Sequence, residues 1–236
     1  MSALLTASPE DCATAVATII ARVADQLGDW RDRVLRELGG ATSPLALDGV
    51  VEPLVIPELM REDPLLVGAG FIAAPDFVQG RDVHFSWWLG PMDANPILGS
   101  TTEPTRLDLS TRSYAEYLSD VRSLEWYAVP AATGEPHITG PYVDHLCTCD
   151  YILTLTIPVE IDGTVMGVVG GDIAVRRLER ELLALFLAVE SPLALVNEEG
   201  RVVVSTAPSV LPGTLADAEA ARIACPGTPL SIVRLD

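Results

Sequence analysis

The chain has 236 residues, enough for one large domain or one domain with a small appendage, and enough to bury a sizeable core. Its formal net charge of -18 disfavours nucleic acid and anionic membranes as partners and mildly favours cationic ligands. No lysine is present, which excludes a P-loop lysine, a Schiff-base lysine and a Ser-Lys dyad at once.

The first element is announced by Ser8-Pro9-Glu10-Asp11. Serine caps, proline suits the first helical position, and the acids complement the positive helix end. Val16, Ile20, Val23, Leu27, Trp30 and Val34 then recur in steps of four and three, one apolar stripe of a long helix ended by Gly39-Gly40. The stripe suits packing on its own domain and also a homodimer through a short seam with a second copy. Prolines 44, 53, 57 and 64 predict only short or interrupted helices over residues 41–64. Leu65 to Ala73 and Val83 to Leu89 read as strands, and residues 90–109 as a Pro/Gly/Asp-rich connection. Ser110 to Val121 reads as a helix, after which Trp126 and Tyr127 stand where a strand or pocket wall begins.

Tyr151 to Glu160 and Thr164 to Ile173 form a hairpin centred on Asp162-Gly163, a strong turn signal. A helix follows over Val175 to Val189, then a second hairpin, Leu193 to Val196 and Arg201 to Ser205, around Glu199-Gly200. Leu215 to Ile223 reads as a short helix and Leu230 to Leu235 as a last strand. Strands paired by tight turns imply an antiparallel sheet with helices to one side, an α+β fold. The expected division is a main domain over 1–190 and a small C-terminal α/β extension over 191–236, in part a second module.

Cys12, Cys147, Cys149 and Cys225 show no disulfide-framework spacing, and one Cys-x-Cys pair is too little for zinc, so ordinary thiols are expected. The start, MSALLTASPEDC, has no basic n-region, and the longest apolar stretch, Leu182 to Val189, is too short to span a bilayer. The chain is therefore expected to be cytoplasmic and off the membrane. Gly167-Val-Val-Gly170-Gly171 lies inside a strand pattern and fails the context of a dinucleotide loop, leaving close packing or close approach of a ligand as its role. His84, His137 and His145 form no metal-binding pair. Neither metal nor cofactor is expected.

One set of residues has pocket chemistry. Trp126 and Tyr127, one of Trp87 and Trp88, the Pro-Tyr corner with Tyr142 and Asp144, and Asp172 at the end of an apolar strand gather aromatics and acids in one sheet-forming region. A buried carboxylate is costly unless paired. An aromatic box with a carboxylate suits an ammonium, through cation–π attraction and a charge-assisted bond. The competing reading makes Asp172 a cap for the helix near Val175 and the aromatics core.

From Tyr114 to Leu183 the order is Tyr, Trp126-Tyr127, GPYVD, a T-x-T-x-P strand, GVVGGDI and a helix. This order resembles the Cache family of small-molecule sensor domains, in particular double Cache modules of bacterial receptors for amino acids and amines. The resemblance implies a PAS-like antiparallel sheet with a long N-terminal helix and a pocket on one face. In amino-acid-binding members an Arg-x-Trp-Tyr-x-Asp string and a later aspartate hold the ligand, the arginine gripping the carboxylate and the later aspartate the amine. This chain keeps Trp126, Tyr127 and Asp172 but has Leu124 and Val129 at the arginine and nearer aspartate positions. The ligand-binding set expected is Trp126, Tyr127, Asp172, Asp144, Tyr142, Trp88 and Tyr114. The expected function is sensing, without chemistry, of a small amine or amino-acid-like metabolite, with the signal passed to a separate regulator or signalling protein. The alternatives are an enzyme acting through Asp144, His145 and Asp172, and a scaffold whose pocket is vestigial and filled by its own side chains.

Overall fold

A computed structural model describes residues 7–38, 42–75, 77–81, 84–95, 99–107, 123–144 and 148–235, with the side chains of 93–95 excepted. Helix α1 runs from Pro9 to Glu37 and opens on a capping box, in which the Asp11 amide donates to Ser8 Oγ while the Ser8 amide donates to the Asp11 carboxylate. All six residues of the expected stripe are buried. The exposed positions of α1 carry charged or small polar side chains apart from Ala21, so its apolar side is covered within the chain.

Helix α2, Pro44–Leu59, corrects the expectation for the proline-rich stretch: it is one helix of 16 residues with Pro53 and Pro57 inside it. Pro44 occupies the first turn, where no donor is lost. Leu47, Val51, Val55 and Leu59, spaced by four, are all buried, and this tertiary burial outweighs two missing backbone bonds.

The main sheet is antiparallel, built from β1 (Leu66–Ala73), β2 (Phe85–Leu89), β5 (Thr105–Arg106), β6 (His137–Val143), β7 (Tyr151–Ile161) and β8 (Thr164–Ala174) in the order β5-β2-β1-β8-β7-β6. A small ribbon of β3 (Met92–Asn95) and β4 (Gly99–Thr101) occupies the connection read as irregular. The β7–β8 turn is the expected one, with Asp162 at φ 51° and Gly163 at φ 75°, the left-handed pair that a two-residue hairpin requires. Helix α4 spans Val175–Phe186. Its N-cap is Ala174 without a side-chain cap, so Asp172 does not serve as one.

Residues 193–235 form a second antiparallel sheet, β10-β9-β12-β11, from β9 (Leu193–Val196), β10 (Val202–Ser205), β11 (Arg222–Ala224) and β12 (Ser231–Arg234). The helix expected over 215–223 is absent: Arg222–Ala224 pairs with Ser231–Val233 instead. The extension is thus a β unit. Its Leu193, Leu195, Val203 and Ile232 join the core cluster that α1 and α4 build on the main sheet. Among the described residues, no helix is long and apolar enough to cross a membrane.

The main sheet has one face covered by α1 and α2 and one face that carries polar side chains. Ala69, Phe71, Trp88, Leu155, Val169 and Ile173 share a core cluster with α1 and α2. On the other face the register sets two transverse rows, Leu89–Gly68–Asp172–Thr154–Thr139 and Trp87–Gly70–Gly170–Thr156–His137. Helix α3, Glu125–Thr133, lies over this face. Of the strand or pocket wall expected at Trp126 and Tyr127, the strand is not there: both residues sit on helix α3.

Candidate functional site

Two polar contacts fasten α3 to the sheet. Thr156 Oγ1 donates to the Trp126 carbonyl at 2.8 Å, and His137 Nε2 lies 2.9 Å from the Glu125 carboxylate. The half-buried Trp126 ring stands edge-on to Phe85 and to Tyr127, at centroid distances of 6.4 and 6.5 Å. Tyr127 itself is buried in an apolar cluster with Ile72, Trp87, Leu89, Leu107 and Val168.

Glycines make the floor. A methyl group at Gly68 would come within 2.9 Å of Trp87 Nε1, and one at Gly170 within 3.4 Å of Trp87 Cη2. The Trp87 indole thus lies across backbone left bare by Gly68 and Gly170. At Gly167 the added carbon would meet the Ile72 carbonyl oxygen at 2.3 Å, so the glycine string serves close packing. Alternation along β2 sends Trp87 to the face with Asp172 and Trp88 to the helix-covered core. That corrects the choice of Trp88 as a site residue: the tryptophan beside Asp172 is Trp87.

Asp172 is 6% exposed, between Gly68 and Thr154 in its row. Thr154 Oγ1 donates to its Oδ1 at 2.7 Å, and the Tyr142 hydroxyl lies 2.7 Å from the same Thr154 oxygen. Burial, with the negative charge of Asp144 added, pushes the Asp172 carboxyl up to about 8, against the opposing pull of the Thr154 bond.

Beyond Tyr142 opens a groove of about 630 Å³. One wall is Leu124, Glu125 and Trp126, the floor is β6 with Tyr142 and Asp144, and the far wall comes from the C-terminal unit, with Asn197 and Arg201. Asp144 Oδ2 accepts from the Thr148 amide at 2.9 Å, so it also anchors the loop that follows β6. Thr139 lines the same groove, 7% exposed, and its Oγ1 has no hydrogen-bond partner among the described residues.

The structure thus brings together Trp126, Tyr142 and Asp144 at the groove, with Asp172 one hydroxyl behind them and Tyr127 packed in core. Tyr114 and His145 lie outside the described residues. Thr139, Thr154, Thr156, Asn197 and Arg201 were not singled out from the sequence, and Trp87 was named only as the alternative to Trp88. Only the T-x-T alternation of β7 carried a signal, since it puts Thr154 and Thr156 on one face.

The family model for "Methyl-accepting chemotaxis protein-like, first PDC sensor domain" matches residues 79–180. The methyl-accepting chemotaxis protein TlpQ of Pseudomonas aeruginosa is 29% identical over 131 residues, covering 51% of this chain and 18% of TlpQ, so the chain spans under a fifth of that receptor. The extracellular domain of the putative histidine kinase soHK1S-Z6 superposes with a TM-score of 0.64 at 13% identity, covering 94% of this chain and 88% of that one. The ligand-binding domain of the Pseudomonas fluorescens chemoreceptor CtaA, solved with L-valine, superposes with a TM-score of 0.60 at 15% identity, covering 96% and 91%. The matched segment is similar to the first PDC sensor domain of methyl-accepting chemotaxis proteins, and the fold is that of the ligand-binding domains of such receptors.

Proposed function

We propose that this chain is the ligand-binding part of a sensor that recognises a small amine or amino-acid-like metabolite in the groove between α3 and β6, and does no chemistry there. Trp126 forms one wall and Tyr142 part of the floor, and Asp144 and Asp172 supply the negative charge. One observation carries this reading: a buried acid, its carboxyl pushed up by burial, is linked through Thr154 and Tyr142 to a groove walled by an indole. An ammonium at that wall stabilises the carboxylate form of Asp172 and meets the faces of two aromatic rings. The matched receptors support the reading, TlpQ as a chemotaxis protein and CtaA as a chemoreceptor domain that holds L-valine.

Signalling follows from the layering. Asp172 and Thr154 belong to β8 and β7, the strands against which α1 packs from the opposite face. A ligand that ionises Asp172 shifts those strands against α1 and so alters contacts with a signalling partner. The exposed side of α1 is polar, so a homodimer through it would be held by charge and not by an apolar seam. The soHK1S-Z6 domain is described as extracellular, which supports a sensor facing outside the cytoplasm over the cytoplasmic placement expected from the sequence. Residues 191–236 act as a second unit that closes one end of the groove.

Calorimetric titration of the chain with amines and amino acids tests the proposal. Micromolar binding of at least one of them, weakened about tenfold or more in Asp172→Ala, is the expected result. Absence of binding across the panel, or binding indifferent to Asp172→Ala, refutes it.

A further inference from the structure

The groove has a second end that the sensing face does not make. Its far wall is the β9–β10 turn, which one hydrogen bond ties to the main sheet and one bond within the turn steadies, while Gly213 of the same unit packs on β7. Asn197 Nδ2 donates to the Gly140 carbonyl on β6 at 2.8 Å, and Asn197 Oδ1 accepts from the Arg201 amide at 2.8 Å. Gly213 packs on the Tyr151 ring so closely that a methyl group there would stand 2.5 Å from Tyr151 Oη. Arg201 Nη1 donates to the Gly213 carbonyl at 2.8 Å, which holds the guanidinium against the groove.

Leu124 lines this same groove, at the position where the family resemblance puts a carboxylate-gripping arginine. An aliphatic side chain there cannot bind an anion. His137, the other basic residue lining the groove, is engaged with Glu125. Arg201 is held by a neutral carbonyl, and its contact with Glu199 is loose, 3.9 Å between half-exposed and exposed side chains. The buried Thr139 hydroxyl, without a partner among the described residues, adds a polar group awaiting a ligand atom on the floor between the two walls.

We infer that Arg201, positioned by Asn197 and Gly213, is the carboxylate-binding residue of this groove, so that the ligand is a small zwitterion bridging the main sheet and the C-terminal unit. The inference rests on the binding function proposed above. The amine end lies at Trp126, Tyr142 and the Asp144/Asp172 acids, and the carboxylate end reaches across to the guanidinium, which matches a carboxylate with two parallel donors. Specificity thus depends on a residue outside the sheet that carries the family motifs. Binding also ties the two units together, which makes their mutual position the quantity a ligand changes.

Matched probes test it: 4-aminobutanoate and L-valine, which carry both charges, against n-butylamine, which carries only the amine. Wild type, Arg201→Ala and Arg201→Lys are titrated by calorimetry, with thermal denaturation as the check on folding. The expected result is a preference of the wild type for at least one zwitterion over n-butylamine by about tenfold or more. Arg201→Ala should bring the two classes to within about twofold by weakening the zwitterions, while Arg201→Lys keeps part of the preference because it keeps the charge but not the fork. A wild type that binds n-butylamine as well as the zwitterions, or a preference that survives Arg201→Ala, overturns the role of Arg201 and leaves amine sensing intact. A wild type that binds none of these probes nor any other amine or amino acid removes both readings.

Discussion

Thr154 Oγ1 lies 2.7 Å from Asp172 Oδ1 and commits its single proton to that acid. When Asp172 is ionised, the Tyr142 hydroxyl, 2.7 Å from the same oxygen, is left to donate to Thr154. A directional chain runs from the groove to a buried carboxyl, and its state depends on whether Asp172 holds a proton.

That proton makes the fold pH-sensitive. Burial raises the Asp172 carboxyl from 3.8 to about 8, so between these values the folded chain holds a proton that the unfolded chain has lost. Stability from this group is therefore fully present below about pH 4, falls as pH rises, and levels off above about pH 8. Asp172→Asn keeps the shape and removes the titration. Thermal denaturation of both proteins from pH 5 to pH 9 should show the variant gaining stability relative to wild type as pH rises. Parallel curves would contradict the assignment.

Removing the hydroxyl between Asp172 and the groove works in the opposite direction. The Thr154 bond holds the Asp172 carboxyl down, so Thr154→Val raises it further. Amine binding at neutral pH must expel the proton, and it weakens about tenfold for each unit by which the carboxyl rises. Calorimetry in two buffers of different ionisation heat counts the protons released. Wild type should release up to one per amine near pH 7, and Asp172→Asn none.

A separate clasp holds α2 to the sheet. Asp48 accepts from the Ser86 hydroxyl, lies 2.9 Å from His84 Nε2, and pairs with Arg106 at 2.9 Å. Ser86 and His84 are 0% and 3% exposed, so their polar atoms have no recourse to water. Aspartate stands between serine and histidine here, the wrong order for nucleophile activation, which needs histidine in the middle. Asp48→Ala should cost about 3 kcal/mol in chemical denaturation, because it takes their shared partner from the buried Ser86 hydroxyl and His84 ring. A loss below about 1 kcal/mol would mean that the clasp contributes little.

Elements governed by local chemistry were legible in the sequence, and those governed by distant partners were not. The stripe from Val16 to Val34 and the Asp162-Gly163 turn each encode their geometry within a few residues. Helix α2 defeats local reading because burial of Leu47, Val51, Val55 and Leu59 overrides Pro53 and Pro57. Residues 215–223 fail in the opposite sense: the alanines from 216 to 221 lie in turns and irregular backbone, and Arg222–Ala224 pairs with the strand edge offered by Ser231–Val233. At the site, residue types pointed to Trp126, Tyr142, Asp144 and Asp172. Alternation alone could not say which of Trp87 and Trp88 faces Asp172, because that depends on which face the helices cover. Arg201 and Asn197 are more than fifty residues from β6 in the chain, and only the fold brings them to the groove.

The facing of the two tryptophans can be tested optically. Trp87 Nε1 and Asp172 Oδ2 flank Gly68, at 2.9 and 3.3 Å from a methyl group placed there, whereas Trp88 belongs to the cluster on the opposite side of the sheet. Ionisation of Asp172 puts a negative charge beside the Trp87 indole in a site of low dielectric, where its field is poorly screened. Tryptophan emission followed against pH should therefore show a transition with a midpoint of about 8. Trp88→Phe should keep that transition, while Trp87→Phe and Asp172→Asn should each abolish it. Loss of the transition in Trp88→Phe with retention in Trp87→Phe would reverse the two faces and return Trp88 to the site.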